Sequence, residues 1–485
     1  MHRIPGHILL LVLALATPAS AANNYNVLLI AVDDLRPELG CLGRTPTVTP
    51  SLDQLAERAV VFRNHFVQVP TCGASRYALL TGRSPGHSKA LGNEALYSGK
   101  TALSAEKLHG AQSLPEMFRR SGYHTTLIGK VSHTADGKVY AYNGKGDGRD
   151  EVPHAWDDLA TPYGPWKRGW GVFFAYANGK HREDGQGHHD LMQFTVEEDS
   201  DLPDGMLADT AIEKLKAYQQ NGKRFFMGLG LIKPHLPFVA PKQDWEAVDA
   251  MKIEPAPNAA RPETKYWQNS GEFYKYNAPF PKSRPLAKED QVTARKAYLA
   301  CVRYTDRQIG KVLKALDETG LADSTIVIVW GDHGWHLGES AVWGKHTSHE
   351  RALNSPLLIR VPGVTDQGEI TESLAETLDI YPTLVDLCEP SFQQTVHPLD
   401  GTSLGPILRQ PKAAVRDIAI SYWNGNQVSV RNADYRLIFR RKGDSPSDLE
   451  LYDMHQSPDP LKNLADEKPE VVSTLLSAVQ DALHP

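Results

Sequence analysis

Asn26-Val27-Leu28-Leu29-Ile30-Ala31-Val32 is an unbroken apolar run that ends on two carboxylates, Asp33-Asp34. It shows no polar alternation, so it reads as a strand in a sheet covered on both faces. Comparable runs recur at 225–232, 326–330 and 356–361. Helical patterns lie between them. Thr49 caps one, Pro50 takes its first turn, and Leu52, Leu55, Ala56 and Ala59 make its apolar face. Ser113 caps a second, with Glu116 three residues on; Gly122 ends it and 123–128 returns as a strand. After about residue 390 the segments shorten, at 418–423, 427–431 and 435–440, and a terminal helix follows at Pro469–Leu483. No internal repeat interrupts this order. The pattern predicts an α/β fold: a large sheet between helices, then a smaller C-terminal α+β subdomain with a short antiparallel sheet.

The chain has 485 residues, 41% hydrophobic and 23% charged, enough for a large core. Its net charge of -6 provides no general basic field for nucleic acid, so none is expected as a partner. A polyanionic substrate needs a local basic pocket. His2 and Arg3 precede an apolar run at 8–16, and Ala19-Ser20-Ala21 forms a small-residue cleavage site. This reads as a secretory signal over 1–21, too short for an ordinary bilayer span. Export to a periplasmic, extracellular or lysosome-like space is expected, with no stable membrane insertion. The domain reading places a catalytic domain at 22–390 and the C-terminal subdomain at 391–485. Four cysteines, Cys41, Cys72, Cys301 and Cys388, do not make a disulfide framework in so long a chain. Cys301 and Cys388 sit in helix-like apolar patterns and read as buried thiols.

Polar clusters follow the core strands. Asp33-Asp34 follow the first, Lys130 and His133 the one ending at Ile128, His235 the one ending at Ile232, and Asp332-His333 the one ending at Trp330. Ligands of open α/β sheets bind beyond the carboxyl ends of strands, so four clusters there imply one site. Asp33, Asp34 and Asp332 are hard oxygen ligands. Adjacent carboxylates need a cation between them, or one must take a proton. A helix cap or solvated turn is the bland alternative for such a pair. His333 is a softer donor, suited to weak ligation or to a substrate contact.

Cys72-Gly73-Ala74-Ser75-Arg76, followed by Thr81-Gly82-Arg83, places a reactive residue at a helix start with arginines nearby. A buried small residue and a simple thiol nucleophile are both compatible with that position. The motif resembles the signature of the type I sulfatases, in which a maturation enzyme oxidises the cysteine to formylglycine. Position 74 is Ala where the commoner family form has Pro. Gly129-Lys130-Val131-Ser132-His133 is similar to the family's Gly-Lys-…-His element. Lys233-Pro234-His235-Leu236-Pro237 and Asp332-His333-Gly334-Trp335 resemble the iduronate-2-sulfatase-like branch, and Trp343-Gly344-Lys345 follows at family spacing. The late segments 399–403, 450–453 and 463–465 look like closing elements of the same family.

The resemblance implies an alkaline-phosphatase-like core and hydrolysis of sulfate esters on a sulfated polysaccharide or oligosaccharide. It implies one calcium held by Asp33, Asp34, Asp332 and His333 beside the formylglycine at position 72. It implies that Arg76, Lys130 and Lys345 neutralise sulfate or the geminal diol. His133 acts as base, and His235 protonates the leaving alkoxide or binds a sulfate oxygen. Two rival readings remain at this stage. One is a phosphatase or phosphonate monoester hydrolase of the same superfamily; the other is a non-catalytic secreted glycan-binding protein. Three further stretches are read from composition. His181 to Asp190 is a solvated loop, with a second metal site as the alternative. Residues 197–201 form a surface acidic stretch. Residues 252–289, rich in Pro with Tyr266, Trp267, Phe273 and Tyr274, are an insertion near the site mouth whose aromatics either stack on sugar or pack the loop down.

Overall fold

The opening apolar run is strand β1 (Asn26–Val32), near the middle of an eight-stranded sheet in the computed structural model. The structure describes residues 25–43, 46, 48–281, 285–442, 445–455 and 457–483, so the segment 1–21, read from sequence as a signal, lies outside the described residues. Along the chain follow α1 (Pro50–Ala56), β2 (Val60–Phe66), α2 (Cys72–Thr81), α3 (Leu114–Arg120), β3 (His124–Gly129) and β4 (Asp158–Leu159). Then come α4 (Pro203–Asn221), β5 (Phe225–Leu231), α5 (Lys288–Glu318), β6 (Thr325–Gly331), β7 (Leu357–Arg360) and β8 (Glu369–Glu376). The spatial order is β8-β2-β7-β6-β1-β5-β3-β4. Only β7 runs antiparallel to its neighbours, so the sheet is mixed.

Alternate residues of β1 serve two cores, which is why the run has no polar positions. Leu28, Ile30 and Val32 join Leu207, Leu215, Ala297 and Val312 of α4 and α5. Val27, Leu29 and Ala31 join Leu79 and Leu80 of α2 with Met117 and Phe118 of α3. Each fully buried Val, Leu or Ile contributes about 1.5–3 kcal/mol, so a strand buried on both faces tolerates few polar substitutions.

Ser113 caps α3 as expected: its hydroxyl accepts from Glu116 N at 3.4 Å, and the Glu116 carboxylate accepts from Gln112 N at 2.7 Å. The cap expected from Thr49 is corrected. Its hydroxyl makes no cap bond to α1; it donates to Asp53 at 3.2 Å and accepts from Gly40 N at 3.0 Å. The open N–H groups of α1 go instead to Asp306 on α5, from Ser51 at 2.9 Å and Leu52 at 2.8 Å. A helix end packed against another helix takes its cap from that neighbour. The stretch 197–201 lies at the surface as read, with Glu197, Glu198, Ser200 and Asp201 exposed and one exception. Asp199 is buried and pairs with Arg307 at 2.6 Å and Lys311 at 2.5 Å.

The C-terminal part forms the antiparallel sheet β9 (Ala419–Trp423), β10 (Gln427–Arg431), β11 (Tyr435–Lys442) and β12 (Ser445–Asp453), in that order. Helix α6 (Pro469–Leu483) closes it, with Val472, Leu475 and Val479 packed on Val428, Val430, Leu437 and Leu451. Cys301 and Cys388 are buried free thiols, as read. Among the described residues, no helix is long and apolar enough to cross a membrane.

Candidate active site

Strands β6, β1, β5 and β3 lie side by side and parallel, so their carboxyl ends share one edge. The register sets Val32 beside Gly331 and Leu231, and Gly129 beside Gly230. The chain then holds the following residues in step: Asp332 N donates to Val32 O at 3.1 Å and Lys130 N to Gly230 O at 2.9 Å. Asp33, Asp34, Lys130, His133, His235, Asp332, His333 and Lys345 are all buried at this edge.

Helix α2 begins at Cys72 and delivers the thiol to the same place. Gly73 N donates to Asn93 Oδ1 at 2.9 Å, and Thr71 Oγ1 donates to the same atom at 3.0 Å. A Cβ on Gly73 would stand 2.0 Å from Asn93 O, so only glycine permits this helix start. Cys72 Sγ lies 3.4 Å from Asp33 Oδ1, 3.3 Å from His333 Nε2 and 3.2 Å from Lys345 Nζ. Burial, reinforced by Asp33, pushes the thiol up to about 12. Burial thus favours the thiol form of an unmodified Cys72.

The charges alternate in sign. Lys130 Nζ pairs with Asp33, and Lys345 Nζ lies 2.8 Å from Asp34 Oδ1. Arg76 is turned inward. Its Nε donates to Asp332 Oδ2 at 3.0 Å, and Nη1 donates to the carbonyl oxygens of Lys130 and Val131. The guanidinium thus braces Asp332 and the end of β3, with Nη2 3.9 Å from Asp33. Burial pushes the Asp33 carboxyl up, but Lys130, His235, Arg76 and Lys345 outweigh it and hold it well below the usual carboxylate range. Asp34 goes the other way: burial and the neighbouring Asp33 charge raise it well above that range, against the pull of Lys345.

This split tests whether a cation fits. Asp34 Oδ2 is buried and accepts no hydrogen bond among the described residues, and a further positive charge there would let both adjacent carboxylates ionise. Ligand atoms of Asp33, Asp34, Cys72 and His333 all lie within 4.8 Å of one another. Asp332, expected among the ligands, has one oxygen on Arg76, while the other accepts from Asp34 N at 3.1 Å and lies 3.4 Å from His333 Nε2. Two of these four donors are carboxylate oxygens, and with position 72 as an oxygen ligand after conversion the set fits a hard divalent ion.

His133 hangs from a loop pinned by Glu151, which accepts from His133 N at 3.0 Å and Thr134 N at 2.8 Å. Burial, then Lys130 and Arg76, hold its imidazole well below its ordinary value, so it is neutral and able to take a proton. His235 is set by its own turn. Lys233 Nζ donates to His235 O at 2.9 Å and Pro237 O at 2.6 Å, and Asp204 accepts from Ile232 N and Lys233 N. The ring places Nδ1 2.6 Å from Leu236 O and Nε2 3.0 Å from Glu272 Oε1. Burial pushes His235 down to about 4, yet both nitrogens face acceptors, and a neutral ring satisfies only one. The two acceptors give the firmer indication, because they favour a ring that carries both protons.

Glu272, Glu151 and Asn93 were not singled out from sequence. Glu272 belongs to the segment read as an insertion at the site mouth, but nothing in Gly271-Glu272-Phe273 marks it as part of the site. The aromatics of that segment pack it down: Phe273 stacks on Trp343 at 4.9 Å, Tyr266 is buried against Ile438 and Tyr452, and Trp267 Nε1 donates to Ser340 O at 2.7 Å. In the stretch from His181 to Asp190, His181 is buried and residues 185–187 are exposed. Asp184 there accepts from His188 Nδ1 at 2.7 Å, and Arg182 lies over the Phe174 ring.

A family model described as Sulfatase matches residues 25–389, and one described as N-sulphoglucosamine sulphohydrolase, C-terminal, matches residues 338–484. The iduronate 2-sulfatase of Homo sapiens is 32% identical over 407 residues, covering 80% of this chain and 69% of that protein. A sulfatase of Formosa agariphila is 28% identical over 467 residues, covering 89% and 81%. Among solved structures, a phosphonate monoester hydrolase from Silicibacter pomeroyi superposes with a TM-score of 0.71 at 23% identity, covering 95% of this chain and 94% of that one. A structure described as a 2-O GAG sulfatase gives 0.65 at 22% identity, covering 94% and 91%. At such identities the structural likeness speaks for the fold.

Proposed function

The chain belongs to the sulfatase family, in its iduronate-2-sulfatase-like branch, and is a sulfuric ester hydrolase; on that footing we propose that its nucleophile is a formylglycine made from Cys72 and its substrate a sulfated carbohydrate. The observation that carries this reading is the position of Cys72: first residue of α2, flanked by Asp33, His333 and Lys345. A maturation enzyme is required to oxidise it.

The hydrated aldehyde supplies two hydroxyls, one to displace the alcohol from sulfur and one whose deprotonation drives sulfate off. Asp33, Asp34 and His333, with Asp332 beside them, would hold a calcium ion, which supplies positive charge for the sulfate oxygens and the attacking hydroxyl. Lys130 and Lys345, both held protonated by the carboxylates around them, bind the remaining sulfate oxygens. Arg76 positions Asp332 and the Lys130 backbone. His235 gives its Nε2 proton to the leaving alkoxide, and neutral His133 takes the proton of the second hydroxyl. An ordinary serine or cysteine in this place has no second hydroxyl and stalls after sulfate transfer.

The carbohydrate class is supported by the relatives, among them iduronate 2-sulfatase and N-acetylglucosamine-6-sulfatase of Homo sapiens, 32% and 26% identical to this chain. Export through the 1–21 leader is part of the same proposal. The test is the mass of the peptide containing Cys72, from protein matured in its native host, followed by sulfate release from a panel of sulfated sugars. A mass equal to thiol-to-aldehyde conversion with release of sulfate is expected. An unmodified cysteine in active enzyme would end the proposed mechanism.

A further inference from the structure

We propose that Tyr142 is the sugar platform of this site: its open ring surface stacks on the pyranose whose sulfate is removed. This rests on the reading above, in which His133 and His235 flank the reacting sulfate.

Tyr142 sits on a hairpin that grows out of the loop carrying His133. Val139 N donates to Arg149 O at 2.9 Å and Ala141 N to Lys145 O at 2.7 Å. The hairpin ends at Glu151, the carboxylate that pins His133 N. Trp170 Nε1 donates to Tyr140 O at 2.7 Å and Arg168 Nη2 to Tyr142 O at 3.3 Å, so the segment is tied down on both sides of residue 141.

The ring stands one aromatic neighbour away from each imidazole. Trp170 lies 5.6 Å from the His133 ring and 4.6 Å from that of Tyr142. Phe174 lies 6.2 Å from the His235 ring and 5.5 Å from that of Tyr142. Burial raises the Tyr142 phenol, and the groups that act on it next are Lys130, Arg182, Glu272 and Cys72. Lys130 and Cys72 belong to the strand-edge site and Glu272 meets His235, so the phenol borders the reacting centre.

Trp170 and Phe174 are buried, yet 44% of Tyr142 is open. Those two rings are nearly parallel to each other, at 20°, and Tyr142 stands at 81° and 90° to them. Edge-to-face contacts of this kind leave at least one face of Tyr142 uncovered by the pair. Arg182 is more distant, 5.9 Å from the Tyr142 centroid, and is drawn down onto Phe174 at 3.4 Å.

An open, fixed aromatic ring suits a sugar. The face of an aromatic ring is negative, and the C–H bonds on one side of a pyranose turn their positive ends toward it. A ring already held by two aromatic neighbours loses little freedom when substrate arrives. The lysines of the site grip the sulfate but do not read the carbon skeleton behind it. Phe273, Tyr266 and Trp267 are engaged in packing, as described above. Tyr142 supplies the missing apolar contact, and the substrate class is a sulfate ester on a pyranose with one apolar C–H face.

The test uses the matured enzyme, the monosulfated sugar that the wild type hydrolyses fastest in the panel above, and inorganic sulfate as an inhibitor that occupies the reacting centre alone. Tyr142→Leu keeps an apolar side chain on Trp170 but removes the aromatic face. It is expected to raise KM for the sugar by about fivefold or more. Its kcat and its inhibition by inorganic sulfate are expected to stay within about twofold of the wild type, because stacking holds ground state and transition state alike. Tyr142→Phe is expected to behave as the wild type. An unmoved KM in the Leu variant, a Phe variant as impaired as the Leu variant, or a loss of sulfate inhibition in step with KM overturns the assignment. The last of these would make Tyr142 a prop for Trp170 and His133. If the Leu variant fails to fold, Tyr142→Met takes its place under the same criteria. A wild type that releases sulfate from no sugar in the panel would instead sink the reading of the site, and this assignment with it.

Discussion

Lys345 Nζ lies 3.2 Å from Cys72 Sγ and 2.8 Å from Asp34 Oδ1, so one ammonium group touches both the reactive residue and the carboxylate pair beside it. Cys72→Ala is accordingly expected to abolish sulfate release while leaving the melting temperature close to the wild type, because the removed atom is small. The thiol count gives a second check. Unfolded, unmodified protein should titrate four thiols and fully converted protein three, whereas the folded protein should leave Cys301 and Cys388 unlabelled because burial pushes both thiols up. Rapid native labelling of either would contradict their packing.

Asp34 is the member of the pair that burial and Asp33 drive toward protonation. Calcium should raise the melting temperature of the wild type, by an amount that grows with its concentration over Kd. Asp34→Asn should remove that dependence. Calcium titrations followed by calorimetry measure both. Equal calcium stabilisation in wild type and variant would remove Asp34 from the ion site.

The close approach of Gly73 to Asn93 predicts a packing failure. With 2.0 Å between the new methyl and a backbone oxygen, Gly73→Ala must move the helix start. A loss of about 2 kcal/mol or more in chemical denaturation is expected, together with lost activity. Asn93→Ala, which strands Gly73 N, should cost about 1–3 kcal/mol. A Gly73→Ala variant with unchanged stability would mean that Asn93 has room to yield.

Asp306 makes stability depend on pH. Burial pushes its carboxyl up to about 6, against the bonds from Ser51 and Leu52. The folded state therefore binds this proton more tightly than the unfolded chain does. The resulting stability is fully present below the unfolded value of 3.8 and is lost as pH rises through about 6. The stability of wild type minus Asp306→Asn should thus fall between pH 4 and pH 7 by on the order of 2 kcal/mol. Denaturant melts of both proteins across that range measure it, and a difference that stays flat refutes the assignment.

Much of the fold was legible because its signals are local. The run at β1, the Ser113 cap of α3 and the helix at Pro469–Leu483 each follow from spacing within a dozen residues. Strands β2 and β12 were harder to read. Val60–Phe66 carries Arg63 and Asn64 in its middle, and Ser445–Asp453 opens on polar residues. Their pairing with partner strands decides what their composition leaves open. Asp306 illustrates the same limit, since the cap of α1 stands more than 250 residues away, with separations of 255 and 254.

The sequence by itself determined that the reactive residues follow strand ends and that Cys72 opens a helix, because periodicity, caps and turn residues act over a few positions. Only the tertiary structure decided the partners: Arg76 on Asp332, Lys130 on Asp33, Lys345 on Asp34 across 311 positions, and Glu272 on His235. Charges pair through space, and in a buried site the distance between them sets which carboxylate stays ionised and which acceptor is left open.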